Sequence, residues 1–276
     1  MDFCDFVPNV CFEQIPIKNL VSNQDYQRSL SPAHIAKAAA EFDIYQINPV
    51  KVSRRNGVNY VFNGQHTIEI VAAVSGSRET PVWCMIYDDL SYEHEADIFA
   101  NQMRFVKKLQ PFEIFNANIE AENHTQMMVH SLLRSYQLEV GPKKRPGVIC
   151  AVSTVEAICQ KYGYPVLERV LRLIVGTWEG DINSFTANIF NAVTKLVVTY
   201  GDTLSEELFI DRVGNLSIKQ LTRMAKDRRP GSMGYAETMV IEYNGKKKNQ
   251  TGRLLIGALY ARENARLDHP EEVPGV

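Results

Sequence analysis

The sequence predicts an α+β chain: a small mixed-sheet α/β domain over residues 1–122, an all-helical domain over 123–267 and a flexible tail over 268–276. Three observations predict it. Asn59 to Ala73 reads as a short strand, a tight polar turn and a helix: Tyr60, Val61 and Phe62 suit a buried strand, Asn63-Gly64 suit a sharp turn, and Ile68, Ile70, Val71 and Val74 recur at helical spacing. Pro81 to Tyr87 is a continuous apolar run of strand length. From His124 onward the pattern turns helical, with Gly at most stops and Ser or Asn at most starts.

In order, Glu13 to Val21 alternates well enough for one strand, with Pro16 assigning it to a sheet edge. Ser31-Pro32 opens a helix through Phe42, Ser31 as N-cap and Pro32 in the first turn. Val50 and Val52 mark a strand, and Arg55-Asn56-Gly57 a hairpin turn into Tyr60–Phe62. Ser91 to Met103 is a helix with an acidic first turn, and Pro111 to about Glu122 another. Met127 to Tyr136 is helical. Leu138–Val140 and Val148–Val152 flank Lys143-Lys144-Arg145 as a hairpin with a basic tip. Helices follow from a Ser153 cap to Tyr162, over Tyr164–Trp178, Asn183–Tyr200, Ser205–Val213 and Ser217–Arg229. Met239–Tyr243 reads as strand or helix, Gly245–Lys248 as a turn, and Leu254–Arg266 as a last helix.

Composition narrows the function. Hydrophobic residues are 45% and charged residues 22%, a soluble globular profile. No apolar run reaches the roughly 20 residues of a membrane span, and Met-Asp-Phe-Cys-Asp is no signal-peptide start, so a cytoplasmic protein without a membrane partner is expected. Cys4, Cys11, Cys84, Cys150 and Cys159 are odd in number and form no C-x-x-C, which argues against a disulfide framework and a zinc ribbon. Net charge is −2, but residues 1–140 carry 11 Lys+Arg against 17 Asp+Glu and residues 141–276 carry 19 against 15. The second half is the one suited to an anionic partner.

Gln65, His66 and Thr67 fall at a helix N-terminus, where N–H groups and the helix dipole favour an anion such as phosphate; read alone, the segment is better taken as an ordinary strand-to-helix turn with His66 merely hydrogen-bonded. Two further pieces flank it in the chain. Asp25-Tyr26-Gln27-Arg28 precedes the first helix, and Asn101-Gln102-Met103-Arg104 with Lys107-Lys108-Leu109-Gln110-Pro111-Phe112-Glu113 follows the last strand. Together they resemble the ParB/sulfiredoxin-like N-terminal domain over roughly residues 12–122. In ParB proteins the pieces look like a Q-x-R loop, a G-E-R-R turn and E-N-x-x-R followed by L-x-P-x-E-E; in sulfiredoxins the turn looks like G-C-H-R. The fit is closer to ParB-like proteins of phages and mobile elements, which carry a D/N-G-Q-H-R/T turn and a helical C-terminal region.

The resemblance implies a nucleoside triphosphate, CTP or ATP, with Mg²⁺. Gly64, Gln65, His66 and Thr67 would face its phosphates, Asn101 and Arg104 would hold the phosphate tail, and Gln27 and Arg28 would close the pocket. Three departures bear on this. Thr67 stands where both families have arginine, Ala100 where ParB has the glutamate, and Gln65 where sulfiredoxin has its cysteine. Without that thiolate, sulfinic acid reduction has no nucleophile.

Ser205 to Arg229 has the form of a helix-turn-helix with Gly214-Asn215-Leu216 as the turn. Its second helix carries Lys219, Arg223, Lys226, Arg228 and Arg229 against one acid, Asp227. It fits a DNA-contacting helix, or two short amphipathic helices with solvated charges. The expected function is a DNA-associated, nucleotide-binding ParB-like protein. A nucleotide-dependent enzyme (kinase, NTPase or nuclease) and an interaction protein with a vestigial pocket stand beside it; no residue is assigned a catalytic role, nor any as a metal ligand.

Overall fold

Pro16, at the end of the first strand, sets the layout of the sheet. A computed structural model describes residues 8–22, 26–27, 29–88, 90–102, 104, 106–245 and 252–261. Arg28, Asp25, Met103, Cys4, the Lys246–Lys248 turn, the last helix beyond Ala261 and the tail lie outside the described residues. The segment expected as one strand is two: β1 (Val10–Pro16) and β2 (Leu20–Ser22), divided by a 3-10 turn at Ile17–Asn19. Pro16 has no N–H to continue the ladder, and fully buried Ile17 turns the chain under the sheet. The two strands then lie on opposite edges.

The chain continues through α1 (Pro32–Ala40), β3 (Val50–Arg55), β4 (Val58–Asn63), α2 (Gln65–Ser75), β5 (Pro81–Tyr87) and α3 (Tyr92–Asn101). The five-stranded mixed sheet has the order β1-β5-β3-β4-β2, antiparallel at β1/β5 and β3/β4, parallel at β3/β5 and β2/β4. Asn56 and Gly57, with φ of 51° and 76°, close the expected hairpin. One core clusters Val50, Val52, Val61, Val82, Cys84 and Ile86 of the sheet with Ile68 of α2.

The chain divides into two compact units, Met1–Lys107 and Lys108–Val276. The sequence reading divides it at 122/123. The helix α4 (Pro111–Glu120) belongs to the second unit because its Phe115 is fully buried in that unit's core. A capping box, in which Gln110 N–H donates to Glu113 Oε2 at 2.6 Å, starts α4. Then come α5 (His124–Ser135), β6 (Glu139–Val140), β7 (Val148–Ile149), α6 (Val152–Tyr162), α7 (Tyr164–Trp178), α8 (Ala187–Tyr200), α9 (Glu206–Val213), α10 (Ile218–Arg228) and α11 (Ser232–Asn244). The architecture is α+β, a mixed sheet with helices followed by a helical unit.

Several local expectations change. β6 and β7 pair in parallel, so the basic loop between them is a return crossover and not a hairpin tip. Ala151, not Ser153, caps α6, and α8 begins at Ala187 after a Thr186 cap. Met239–Tyr243 is helix, inside α11, with Met239, Val240 and Tyr243 buried. Of the last expected helix, the described part is a 3-10 turn at Ile256–Leu259. A Cβ on Gly234 of α11 would lie 2.4 Å from the Ala225 carbonyl oxygen of α10, so glycine permits the close docking of these two helices. No helix of the described residues is long and apolar enough to cross a membrane.

Candidate functional site

The strand-to-helix turn forms as expected. Gly64 caps α2 with φ of 106°, and a Cβ there would meet the Val50 backbone at 3.2 Å. Position 64 is therefore doubly bound to glycine, by its left-handed backbone and by its approach to β3. The turn opens on a cleft of about 520 Å³. Gln27, Gly64, Gln65, His66 and Thr67, all expected there, line it. Ser29, Ser31 and His34 before and at the start of α1, Asn63, and Phe99 and Gln102 from the end of α3 complete the described walls. Asn101 and Arg104 are not among the lining residues. The Asn101 amide instead donates back to the Asp97 carbonyl at 3.0 Å and carboxylate at 2.9 Å, and half-buried Gln102 takes its place at the cleft.

Two helix N-termini converge on this cleft, and they differ. Ser31 caps its own helix, its hydroxyl accepting from His34 N–H at 3.3 Å. Gly64 has no side chain with which to cap α2. The first turn of α2 is thus the more positive pole of the two. His66 Nε2 accepts the Ser31 backbone N–H at 3.4 Å, and its ring meets His34 edge-on at 5.5 Å. With Nε2 accepting, the proton of the neutral imidazole sits on Nδ1. The Gln27 amide donates to the Val61 carbonyl and the Asn63 amide to Gln102 Oε1, tying the loop and the α3 end to β4. The described lining holds no Lys, Arg, Asp or Glu. Among the described residues no three His, Cys, Asp or Glu side chains come together as a metal site, and the cleft walls offer Mg²⁺ no carboxylate.

Behind the cleft lies a charged cluster that the sequence reading missed. Glu95 of α3 is fully buried and paired with Arg55 of β3, at 2.8 Å from Nε to Oε1 and 3.3 Å from Nη2 to Oε2. Tyr26, next to Gln27, donates to Glu95 Oε2 at 3.3 Å and packs edge-on against Tyr92 and tilted against Phe99. Burial, helped by the Glu95 charge, pushes the Tyr26 hydroxyl up to about 12. Arg55 also lies over the Tyr60 ring at 4.5 Å. The available signal is positional: Glu95 falls three and four residues before Ile98 and Phe99, on the apolar side of its helix.

In the second unit, α10 starts from a Ser217–Gln220 capping box and buries Ile218, Leu221 and Ala225. Lys219, Arg223 and Lys226 share the opposite, exposed face; Arg228 is exposed too. None of these four makes an ion pair with a described residue. Arg229 is committed elsewhere: it donates to the Tyr260 hydroxyl at 2.9 Å and sits 3.8 Å from Glu237. The turn before α10 is held by Trp178, whose indole N–H donates to the Leu216 carbonyl at 3.1 Å.

A family model described as a family of unknown function, DUF6551, matches residues 21–254. The chain belongs to that family. The match runs from β2 into the segment after α11, so DUF6551 takes in the cleft and the basic helix together. No curated protein matches the chain. Among solved structures, it overlaps the C-terminally truncated chromosome-partitioning protein ParB from Caulobacter crescentus complexed with CTP-gamma-S, at 10% identity and a TM-score of 0.35, over 84% of this chain and 99% of that one.

Proposed function

We propose that this DUF6551 protein is a DNA-associated, ParB-like protein whose first unit binds a nucleoside triphosphate through its phosphates and whose second unit meets DNA through α10. One observation carries the nucleotide half: the uncapped first turn of α2 and the start of α1 open on the same cleft of about 520 Å³. Helix N-termini are ready-made phosphate sites. Gln65, His66 and Thr67 supply the phosphate-facing turn, and Gln27 lies across from them. Asn101 and Arg104 keep the roles the motif resemblance gives them only by turning toward a bound nucleotide; Arg28, given the same role, lies outside the described residues. In this reading the chain is of the kind carried by phages and mobile elements.

The cleft predicts a particular kind of binding. Without a cationic side chain among its described walls, it holds phosphate by helix ends and neutral donors. Each helix end contributes about 0.3–1 kcal/mol, up to about 2 where partly buried. The affinity should be micromolar to millimolar, about −8 to −4 kcal/mol. Because the walls offer Mg²⁺ no carboxylate, leaving the ion out should change little. Of the two described imidazoles in the cleft, His66 accepts the Ser31 N–H at Nε2 and His34 packs edge-on against it, and this reading gives neither a catalytic role.

The test is a thermal-shift titration of the whole chain with CTP, ATP and GTP, with and without Mg²⁺. Saturable stabilisation by at least one nucleotide is expected. No shift with any of them at millimolar concentration overturns the nucleotide half and leaves the cleft as a retained scaffold.

A further inference from the structure

The basic loop between β6 and β7 and the basic face of α10, far apart in sequence, adjoin one turn of the second unit. Lys144 Nζ donates to Asn183 Oδ1 at 2.7 Å. Asn183 lines a groove of about 640 Å³ whose other wall is α10, with Lys219, Arg223 and Lys226. The Asp181–Asn183 turn is rigid: Asp181 Oδ1 accepts from the backbone N–H of Asn183 at 2.7 Å and from its amide at 3.0 Å. Asn183 therefore positions Lys144 without neutralising it, because its amide oxygen carries no charge.

The neighbouring charges sort cleanly. Arg145 is paired with Glu139 at 2.5 Å and adds no net charge to the loop. Lys143 and Lys144 are exposed. Asp181 keeps its negative charge, since its Asn183 donors are neutral, and the three cations of α10 outnumber it and Asp227 in the groove. Asp227 is the one further carboxylate lining the groove, and it sits beside Lys226 where a base edge suits it better than a phosphate. Lys219 to Lys226 spans seven residues, about 10 Å of helix at about 1.5 Å per residue, and a helix about 10–12 Å across is admitted by a major groove about 12 Å wide.

We propose that this surface binds duplex DNA in two parts, α10 entering the major groove through Lys219, Arg223 and Lys226 while Lys143 and Lys144 hold the backbone beside it. This rests on the DNA half of the reading above and is independent of the cleft. A duplex fits better than a single strand because the described groove walls carry no aromatic ring on which bases would stack.

The experiment is fluorescence anisotropy of the whole chain, without nucleotide, on a duplex of about 24 base pairs between about 50 and 200 mM salt. Five cations brought against the polyanion, each displacing about one condensed counterion whether it lies in the groove or on the backbone, predict a slope of log K against log salt near −4.5, at about −0.9 per cation. The double variant K143A/K144A should flatten it by about 1.8 and the triple variant K219A/R223A/K226A by about 2.7, both with unchanged melting temperature. A loop variant with the wild-type slope overturns the two-part surface and leaves α10 standing alone. A wild type that does not bind duplex removes the inference and the DNA half of the reading together. Equal or tighter binding to single-stranded RNA, or to vesicles containing phosphatidylserine, overturns the choice of partner.

Discussion

On the proposed reading, the cleft of the first unit and the basic groove of the second are opposite solutions to meeting an anion. The cleft has no charged side chain in its described walls; its positive pole is the backbone of α2, exposed by a cap residue without a side chain. The groove relies on side chains, three cations on α10 and two on a loop that Asn183 holds in place. A backbone site is sensitive to strain and insensitive to salt at short range. A side-chain site is the reverse, tolerant of substitution in stability and steeply dependent on salt in affinity.

The largest expected effect breaks the frame of the cleft. Arg55→Ala leaves Glu95 as an unpaired buried charge and should cost about 3–5 kcal/mol in chemical denaturation of the first unit. Nucleotide binding should weaken with it as Tyr26 and Gln27 lose their anchor, while the salt slope on DNA stays. Gly64→Ala comes next, at about 1–3 kcal/mol, because the new methyl meets Val50 in a left-handed backbone. The triple variant K219A/R223A/K226A supplies the contrast: each exposed substitution should stay within about 0.5 kcal/mol of wild-type stability.

A similarly small effect concerns the platform of the second unit. Glu206, at the start of α9, is hydrogen-bonded by Arg172 at 2.7 and 2.9 Å and by Arg169 at 3.0 Å. The Arg172 guanidinium, with Arg169 beside it, holds the Glu206 carboxyl below the usual carboxylate range. A depressed folded value contributes stability above the unfolded one, about 4.3, and that contribution is lost as pH falls through the folded value. Glu206→Gln should thus be less stable than wild type near pH 7 by under about 1 kcal/mol, given the partly exposed site, and the gap should narrow in denaturation curves as pH falls below the unfolded value of about 4.3.

What the sequence makes legible is local. The Gly64 turn, the Ser31, Ser91, Ser205 and Ser217 caps and the register of α10 all follow from residues within one helical turn of each other. What it hides is non-local. A single alternating run splits between two sheet edges because Ile17 is drawn into the core, which depends on strands 65 residues away. The two-residue pairing of β6 and β7 is too short to carry a pattern that separates parallel from antiparallel. Arg55–Glu95 and Lys144–Asn183 join residues about 40 apart, with no periodicity to announce them. Asn101 is instructive in another way. A motif resemblance fixes residue type and order, whereas rotamer is decided locally, here by Asp97 one turn earlier.

The most direct test of the central claim is isothermal calorimetry of the nucleotide that stabilises the protein, run in parallel on wild type and Thr67→Glu. A carboxylate in the first turn of α2 is favourable to the helix by about 0.3–1 kcal/mol and repels phosphate at the same pole. The account predicts wild-type binding weakened at least tenfold in the variant, about 1.4 kcal/mol, with a melting temperature equal to or above wild type. Unchanged affinity in Thr67→Glu would contradict it and move the phosphates away from the Gly64–Thr67 turn.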